Sequence, residues 1–199
     1  MARLIYQGAE ASIWQDGQTV IKERKPKNYR HPLLDKKLRV QRIRNEASMM
    51  SRFQRAGLQV PKIIGSDEKK GIIEMELIKG KTLKEELIKG KENKRNLLIE
   101  LGKQIAILHN SGLVHGDLTT SNIFSTRNGI AFIDFGLASM TQRIEDFAMD
   151  LLVFKKTFKA THSRIKLGWD WILEGYSSFD KAKQVIEQIT KIEKRARYL

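Results

Sequence analysis

The stretch His115-Gly116-Asp117-Leu118-Thr119-Thr120-Ser121-Asn122, followed by Ile133-Asp134-Phe135-Gly136, decides how the rest of the chain is read. An Asp is followed five residues on by an Asn and twelve further by a second Asp. Ile123 and Phe124 follow the Asn, and Ile130, Phe132 and Ile133 precede the second Asp, so apolar residues support each polar one. Phosphoryl transfer from ATP needs this set. One carboxylate orients or deprotonates the acceptor, and an Asn and an Asp hold the magnesium that neutralises the phosphates. An isolated Asp-Phe-Gly is a common turn. Both halves in this order and at this spacing are specific.

Working outward, the spacing is that of the protein-kinase pattern H-x-D-x-x-x-x-N … D-F-G. The N-terminal part reads as a β-meander: Leu4–Gln7, Ser12–Gln15 and Thr19–Lys22, with turns at Gly8-Ala9-Glu10-Ala11 and Gly17. A kinase covers the phosphates with a glycine-rich first turn. Here that turn has only Gly8, which either brings backbone N–H groups close to phosphate or closes a plain hairpin. Period-2 geometry puts Val20 and Lys22 on one face of the third strand. Val20 then suits an adenine pocket and Lys22 the α- and β-phosphates, unless Lys22 simply faces solvent.

The partner that favours the first reading is Glu46. A helical pattern runs from about Leu33 to Ala56 and is closed by Gly57, with Ile43, Ala47, Met50 and Phe53 as its apolar face. Glu46 falls on or beside that face. A carboxylate turned toward a core is costly unless paired. The third-strand lysine is one partner for it, and a local Arg such as Arg42 is the other. Two further strands, Lys62–Gly65 and Gly71–Leu77, flank the turn Asp67-Glu68-Lys69-Lys70. At Ile78-Lys79-Gly80 the sheet pattern breaks, and the backbone of Glu76 and Ile78 there is placed to meet an adenine edge. Thr82 with Glu85 forms a capping-box signal for the next helix.

Beyond this point the chain reads as mostly helical, with stripes Leu97/Leu101/Ile105/Leu108 and Phe147/Leu151/Phe154/Phe158. Asp146 and Asp150 share the latter helix. Either one of them anchors the catalytic-loop backbone or both are ordinary exposed acids. The predicted class is α+β. It is a minimal bilobal kinase-like fold with an N-terminal lobe over 1–78 (small antiparallel sheet plus the Glu46 helix) and a C-terminal lobe over 79–199.

Composition bounds the partners. The 199 residues contain no cysteine, which excludes disulfides, thiolate metal sites and a Cys nucleophile and fits a cytoplasmic protein. No apolar run approaches the roughly 18 residues of a membrane span, and the sequence at Met1 has no signal-peptide core. The 37 Lys and Arg against 23 Asp and Glu give a net charge of +14. That excess is dense from Lys22 to Arg44, including Lys36, Lys37, Arg39 and Arg42, and recurs in Lys194, Arg195 and Arg197. It reads as a phosphate-backbone footprint for nucleic acid or as solvated surface and a favourable helix C-terminus.

HGDLTTSNI, IDFGLAS, the Gly8-Ala9-Glu10-Ala11 turn and the small size together resemble the atypical kinase/ATPase subunit family of the KEOPS complex. The resemblance implies ATP and magnesium as cofactors and a role in threonylcarbamoyl modification of tRNA adenosine. It also implies binding to the carbamoyl-transferring and other KEOPS subunits. It casts Asp117 as catalytic Asp, Asn122 and Asp134 as magnesium ligands, and Lys22 with Glu46 as the phosphate-orienting pair. Thr119 stands where ordinary Ser/Thr kinases carry a phosphate-contacting lysine. Only nine residues separate Gly136 from Asp146, and no Ala-Pro-Glu follows. Both departures favour ATP hydrolysis over robust protein phosphorylation. A stand-alone RIO-type or small-molecule phosphotransferase and a non-catalytic RNA-binding scaffold are the other readings. RIO kinases are expected to differ in both central motifs.

Overall fold

The computed structural model describes residues 2–8, 11–90 and 93–195. Strands β1 (Arg3–Gln7), β2 (Ser12–Asp16), β3 (Thr19–Glu23), β4 (Ile63–Asp67) and β5 (Ile72–Glu76) form an antiparallel sheet in the order β1-β2-β3-β5-β4. Helix α1 (Pro32–Arg55) crosses between β3 and β4. It starts with Pro in its first turn, where the missing N–H costs nothing, and it ends before Gly57 at φ 84°. Ile43, Met50 and Phe53 are buried as their spacing predicts, and Glu46 is buried with them.

The remaining elements are β6 (Gly80–Thr82), α2 (Leu83–Lys89), α3 (Lys94–Asn110), β7 (Leu113–Val114), β8 (Ile123–Thr126), β9 (Gly129–Phe132), β10 (Ser139–Met140), α4 (Ile144–Thr161), α5 (Gly168–Tyr176) and α6 (Ala182–Arg195). The Thr82–Glu85 capping box forms at the start of α2. Of the short strands, the sequence marks only the break in pattern at Ile78-Lys79-Gly80. At Gly80 the chain instead pairs with Thr126, building the small sheet β6-β8-β9. These strands have two to four residues, too few for an alternation to stand out.

α3 and α5 cross so closely that a Cβ on Gly102 would lie 2.1 Å from the Ile172 carbonyl oxygen. The core is continuous from the first sheet's helix into the second half. Phe53 of α1 packs edge-on against Phe135, ring centroids 4.7 Å apart, and Phe135 lies 5.6 Å from the His115 ring. These buried aromatics fix α1, the His115 loop and the Asp134-Phe135-Gly136 turn relative to one another.

Candidate active site

The cleft between the first sheet and the second half has a volume of about 920 Å³. Gly8, Val20, Lys22, Glu46, Glu76, Ile78, Asp117, Asn122 and Asp134, all singled out in the sequence, line it.

β3 pairs with β5 so that Val20 faces Met75 and Lys22 faces Ile73 across the ladder. Alternation sends Lys22 inward, where it is 6% exposed. Its Nζ donates to Glu46 Oε1 at 2.5 Å and to Asp134 Oδ1 at 2.7 Å. Glu46, 1% exposed, takes Arg24 Nη2 on its other oxygen at 2.6 Å. The third-strand lysine is thus a partner of Glu46, and Arg24 is a second one. Arg24 had been counted with the surface charges, yet it is 6% exposed. The signal was available, because two residues after Lys22 on a strand is the same face.

Asp134 is the one non-glycine with positive φ (62°) among the described residues. That backbone is uncommon and concentrates at functional sites. Its side chain is 47% exposed to the cleft. Burial pushes its carboxyl up, but the Lys22 ammonium, the Gly136 N–H and the Arg24 charge outweigh that and hold it below the ordinary carboxylate range. Asn122 Nδ2 donates to the Asp117 carbonyl at 2.9 Å and to the Asp117 carboxylate at 2.8 Å.

The loop carrying Asp117 is anchored from below. Asp150 accepts the backbone N–H of His115 at 2.9 Å and of Gly116 at 2.8 Å. Of the two acids on α4, Asp150 is thus the anchor. Asp146 accepts the Thr141 hydroxyl at 2.6 Å instead. Burial raises the Asp150 carboxyl, and its hydrogen bonds with His109 and the His115 backbone outweigh this, so it also lies low. His109 Nδ1 meets the Tyr176 hydroxyl at 2.7 Å, which burial and the Asp150 charge keep firmly protonated. No spacing in the sequence could reveal this contact between residues 67 apart. Gly116 has φ 79°, and a Cβ there would lie 2.3 Å from the Leu137 carbonyl oxygen, so only glycine fits before Asp117.

Other expectations change. The Gly8 N–H closes its own turn on the Ala11 carbonyl at 2.9 Å and is not left for a phosphate. Ala9 and Glu10 of that turn lie outside the described residues. The Glu76 N–H goes to the Lys62 carbonyl at 2.8 Å, leaving that residue's carbonyl edge for a ligand. The stretch from Lys22 to Arg44 is not one basic face. Lys22 and Arg24 turn inward, Arg39 bonds the buried Asp35 at 2.8 Å, Arg44 pairs with Glu68, and Arg42 lines the cleft. Lys36, Lys37, Lys194 and Arg195 are exposed, whereas Arg197 lies outside the described residues.

The segment after Gly136 is short and pinned. β10 pairs with β7, the Thr141 N–H donates to the Gly112 carbonyl at 2.8 Å, and Asn45 of α1 holds the Ala138 carbonyl at 3.2 Å.

Residues 8–165 match the RIO domain family. The match spans both central motifs, His115–Asn122 and Asp134–Gly136. Over 98% of its length the chain is 39% identical to the KEOPS complex subunit Bud32 of Pyrococcus abyssi, of which it covers 96%. It is 37% identical to a probable bifunctional tRNA threonylcarbamoyladenosine biosynthesis protein of Methanococcus maripaludis, covering 98% of this chain and 36% of that protein. Among solved structures it is similar to the Rio2 kinase–ADP/Mg2+–phosphoaspartate complex of Chaetomium thermophilum. The TM-score is 0.65 at 17% identity, over 99% of this chain and 71% of that one, a likeness of fold.

Proposed function

The chain belongs to the Bud32 family of RIO-domain atypical kinases, and from that premise we propose that it turns over ATP with magnesium in support of tRNA threonylcarbamoylation, as a cytoplasmic subunit of a KEOPS-type assembly. One observation carries the catalytic reading. Lys22 Nζ bridges Glu46 and Asp134 in the cleft that also holds Asp117 and Asn122.

The donor set suits magnesium. Asp134 stays ionised and half-exposed, and Asn122 turns its amide nitrogen to Asp117, leaving its oxygen for a cation. Among the described residues no cluster of three or more His, Cys, Asp or Glu could hold a metal. Magnesium needs only one or two protein carboxylates beside nucleotide phosphates. When bound it neutralises charge on those phosphates.

In this reading Lys22 swings from Asp134 to the α- and β-phosphates, and Glu46 keeps it on the cleft side of β3. Val20 and Met75 give the base an apolar wall, with the Glu76 carbonyl and the Ile78 backbone at its polar edge. Gly8 lets the first turn approach closely because it lacks a side chain. Asp117, fixed by Asn122 and by the Asp150 anchor, orients the attacking oxygen and accepts its proton. Thr119 supplies no cation for the transferred phosphate, and the pinned segment after Gly136 offers little peptide-binding surface. Water therefore suits this site as acceptor better than a protein hydroxyl, with weak autophosphorylation as a side reaction.

The tRNA contact is assigned to Lys36, Lys37, Lys194 and Arg195 rather than to Arg39 and Arg42. The test measures magnesium-dependent ATP turnover with and without tRNA and partner subunits, beside tRNA affinity across a salt series. Turnover that needs magnesium and rises in the assembly is expected. Charge reversal at Lys36 and Lys37 should shallow the log–log salt slope by about 0.7–0.9 per lost phosphate contact. Absence of turnover under every condition would refute the catalytic reading, and one common slope for all variants would refute the tRNA surface.

A further inference from the structure

We infer that Arg24 is a positioning residue that keeps Glu46 neutralised while Lys22 is lent to the nucleotide. The inference rests on the ATP reading above.

Without ligand, the cluster balances two cations against two anions. Lys22 sits between Glu46 Oε1 and Asp134 Oδ1, and Arg24 holds Glu46 Oε2. Nucleotide with magnesium disturbs this balance. Asp134 passes to the metal and the charge of Lys22 turns to phosphate. Glu46, 1% exposed, would then be a buried carboxylate with a weakened counterion, and removing one partner of a buried pair is strongly unfavourable. Arg24 removes that difficulty because its partner does not change. Its backbone N–H donates to the Gly71 carbonyl at 2.8 Å. Its Nη2 packs against the Asp134-Phe135-Gly136 turn so closely that a Cβ on Gly136 would lie 2.9 Å from it. The Arg24 Nε–H is buried with no hydrogen-bond partner, so the bond to Glu46, not a complete hydrogen-bond set, holds the guanidinium here. The alternative is that Arg24, which also lines the cleft, touches phosphate directly.

Charge compensation separates the two. Arg24→Met, Arg24→Lys, Glu46→Gln and the double variant Arg24→Met/Glu46→Gln are compared with the wild type. Calorimetry measures binding of magnesium–ADP and of a non-hydrolysable ATP analogue, and thermal unfolding is followed without nucleotide. Arg24→Met should lower the unfolding midpoint and weaken nucleotide binding about tenfold or more, because it strands a buried charge. Arg24→Lys should fall between it and the wild type. Adding Glu46→Gln to Arg24→Met should raise both readouts again, since the amide still accepts from Lys22 and needs no counterion. Loss of binding in Arg24→Met that the double variant does not recover would overturn the inference in favour of direct phosphate contact. Wild-type behaviour of Arg24→Met in both readouts would overturn it outright. If the wild type binds no magnesium–nucleotide, the ATP reading itself fails. The unfolding midpoints then still decide whether Arg24 compensates Glu46, and no recovery by the Gln substitution would show that it does not.

Discussion

Glu46 and Asp150 are both buried carboxylates with more than one partner, yet they are held in opposite ways. Glu46 takes two cationic side chains, Lys22 of β3 and Arg24 just beyond its end. Asp150 takes two backbone N–H groups, of His115 and Gly116, and lies 3.3 Å from the His109 ring nitrogen. Side-chain ammonium and guanidinium groups can change partners without the chain moving, whereas backbone N–H groups can only be held or lost. The difference matches position. Glu46 faces the cleft, where charge arrives with a ligand, and Asp150 lies beneath a loop that must stay still. A carboxylate paired with side chains is suited to a site of exchange, and one paired with backbone to an anchor.

That contrast can be broken experimentally. The largest effect belongs to the cleft groups. Asp117→Ala and Asp134→Ala should each lower ATP turnover by about 10²–10⁴-fold. Asp117→Ala should leave the unfolding midpoint nearly unchanged, whereas Asp134→Ala should lower it modestly, because alanine is disfavoured at φ 62° and Lys22 loses one partner. Near-normal turnover in two folded variants would remove the catalytic assignment.

Next comes the anchor. Asp150→Ala leaves the His115 and Gly116 N–H groups buried without an acceptor, and should cost about 2–4 kcal/mol in urea unfolding. The folded-state pKa of Asp150 lies below 3.8, so its stabilisation is complete above that pH and vanishes as pH falls further. The acid limb of the stability curve should accordingly be shallower in Asp150→Asn. An unaltered acid limb would argue that Asp150 is not held ionised by the loop.

A double-mutant cycle sharpens the exchange side. Lys22→Ala and Glu46→Ala should be coupled by about 1–3 kcal/mol in turnover, the double variant resembling the worse single one. Strict additivity would place the two residues in separate environments.

The smallest effect concerns His162, whose ring meets the Thr120 hydroxyl at 3.1 Å beneath the same loop. Burial, with Lys84 and Lys94 nearby, lowers its pKa from 6.5. The folded state therefore holds it neutral, and its contribution is full above pH 6.5 and declines as pH falls below that. Between pH 7.5 and 5.5 the wild type should lose on the order of 1 kcal/mol that His162→Gln does not lose. Parallel curves for the two proteins would show that His162 does not titrate within the fold.

The sequence alone determined the parts of this molecule that repeat locally. Alternation assigned the strands of the first sheet and put Val20 and Lys22 on one face. Helical spacing turned Glu46 toward the core, and the capping box started α2. The 117–122–134 spacing named the polar groups of the cleft before any distance was known, because that chemistry tolerates few other residue types at those positions. Tertiary structure decided what depends on approach from far along the chain. It turned Arg24 and Asp35 away from solvent, divided the basic stretch into inward and outward halves, and chose Asp150 over Asp146 as the loop anchor. It also brought Tyr176 to His109. Local pattern reports which face a residue occupies, whereas a buried charge is located by its partner, and here the partners lie from four to over a hundred residues away.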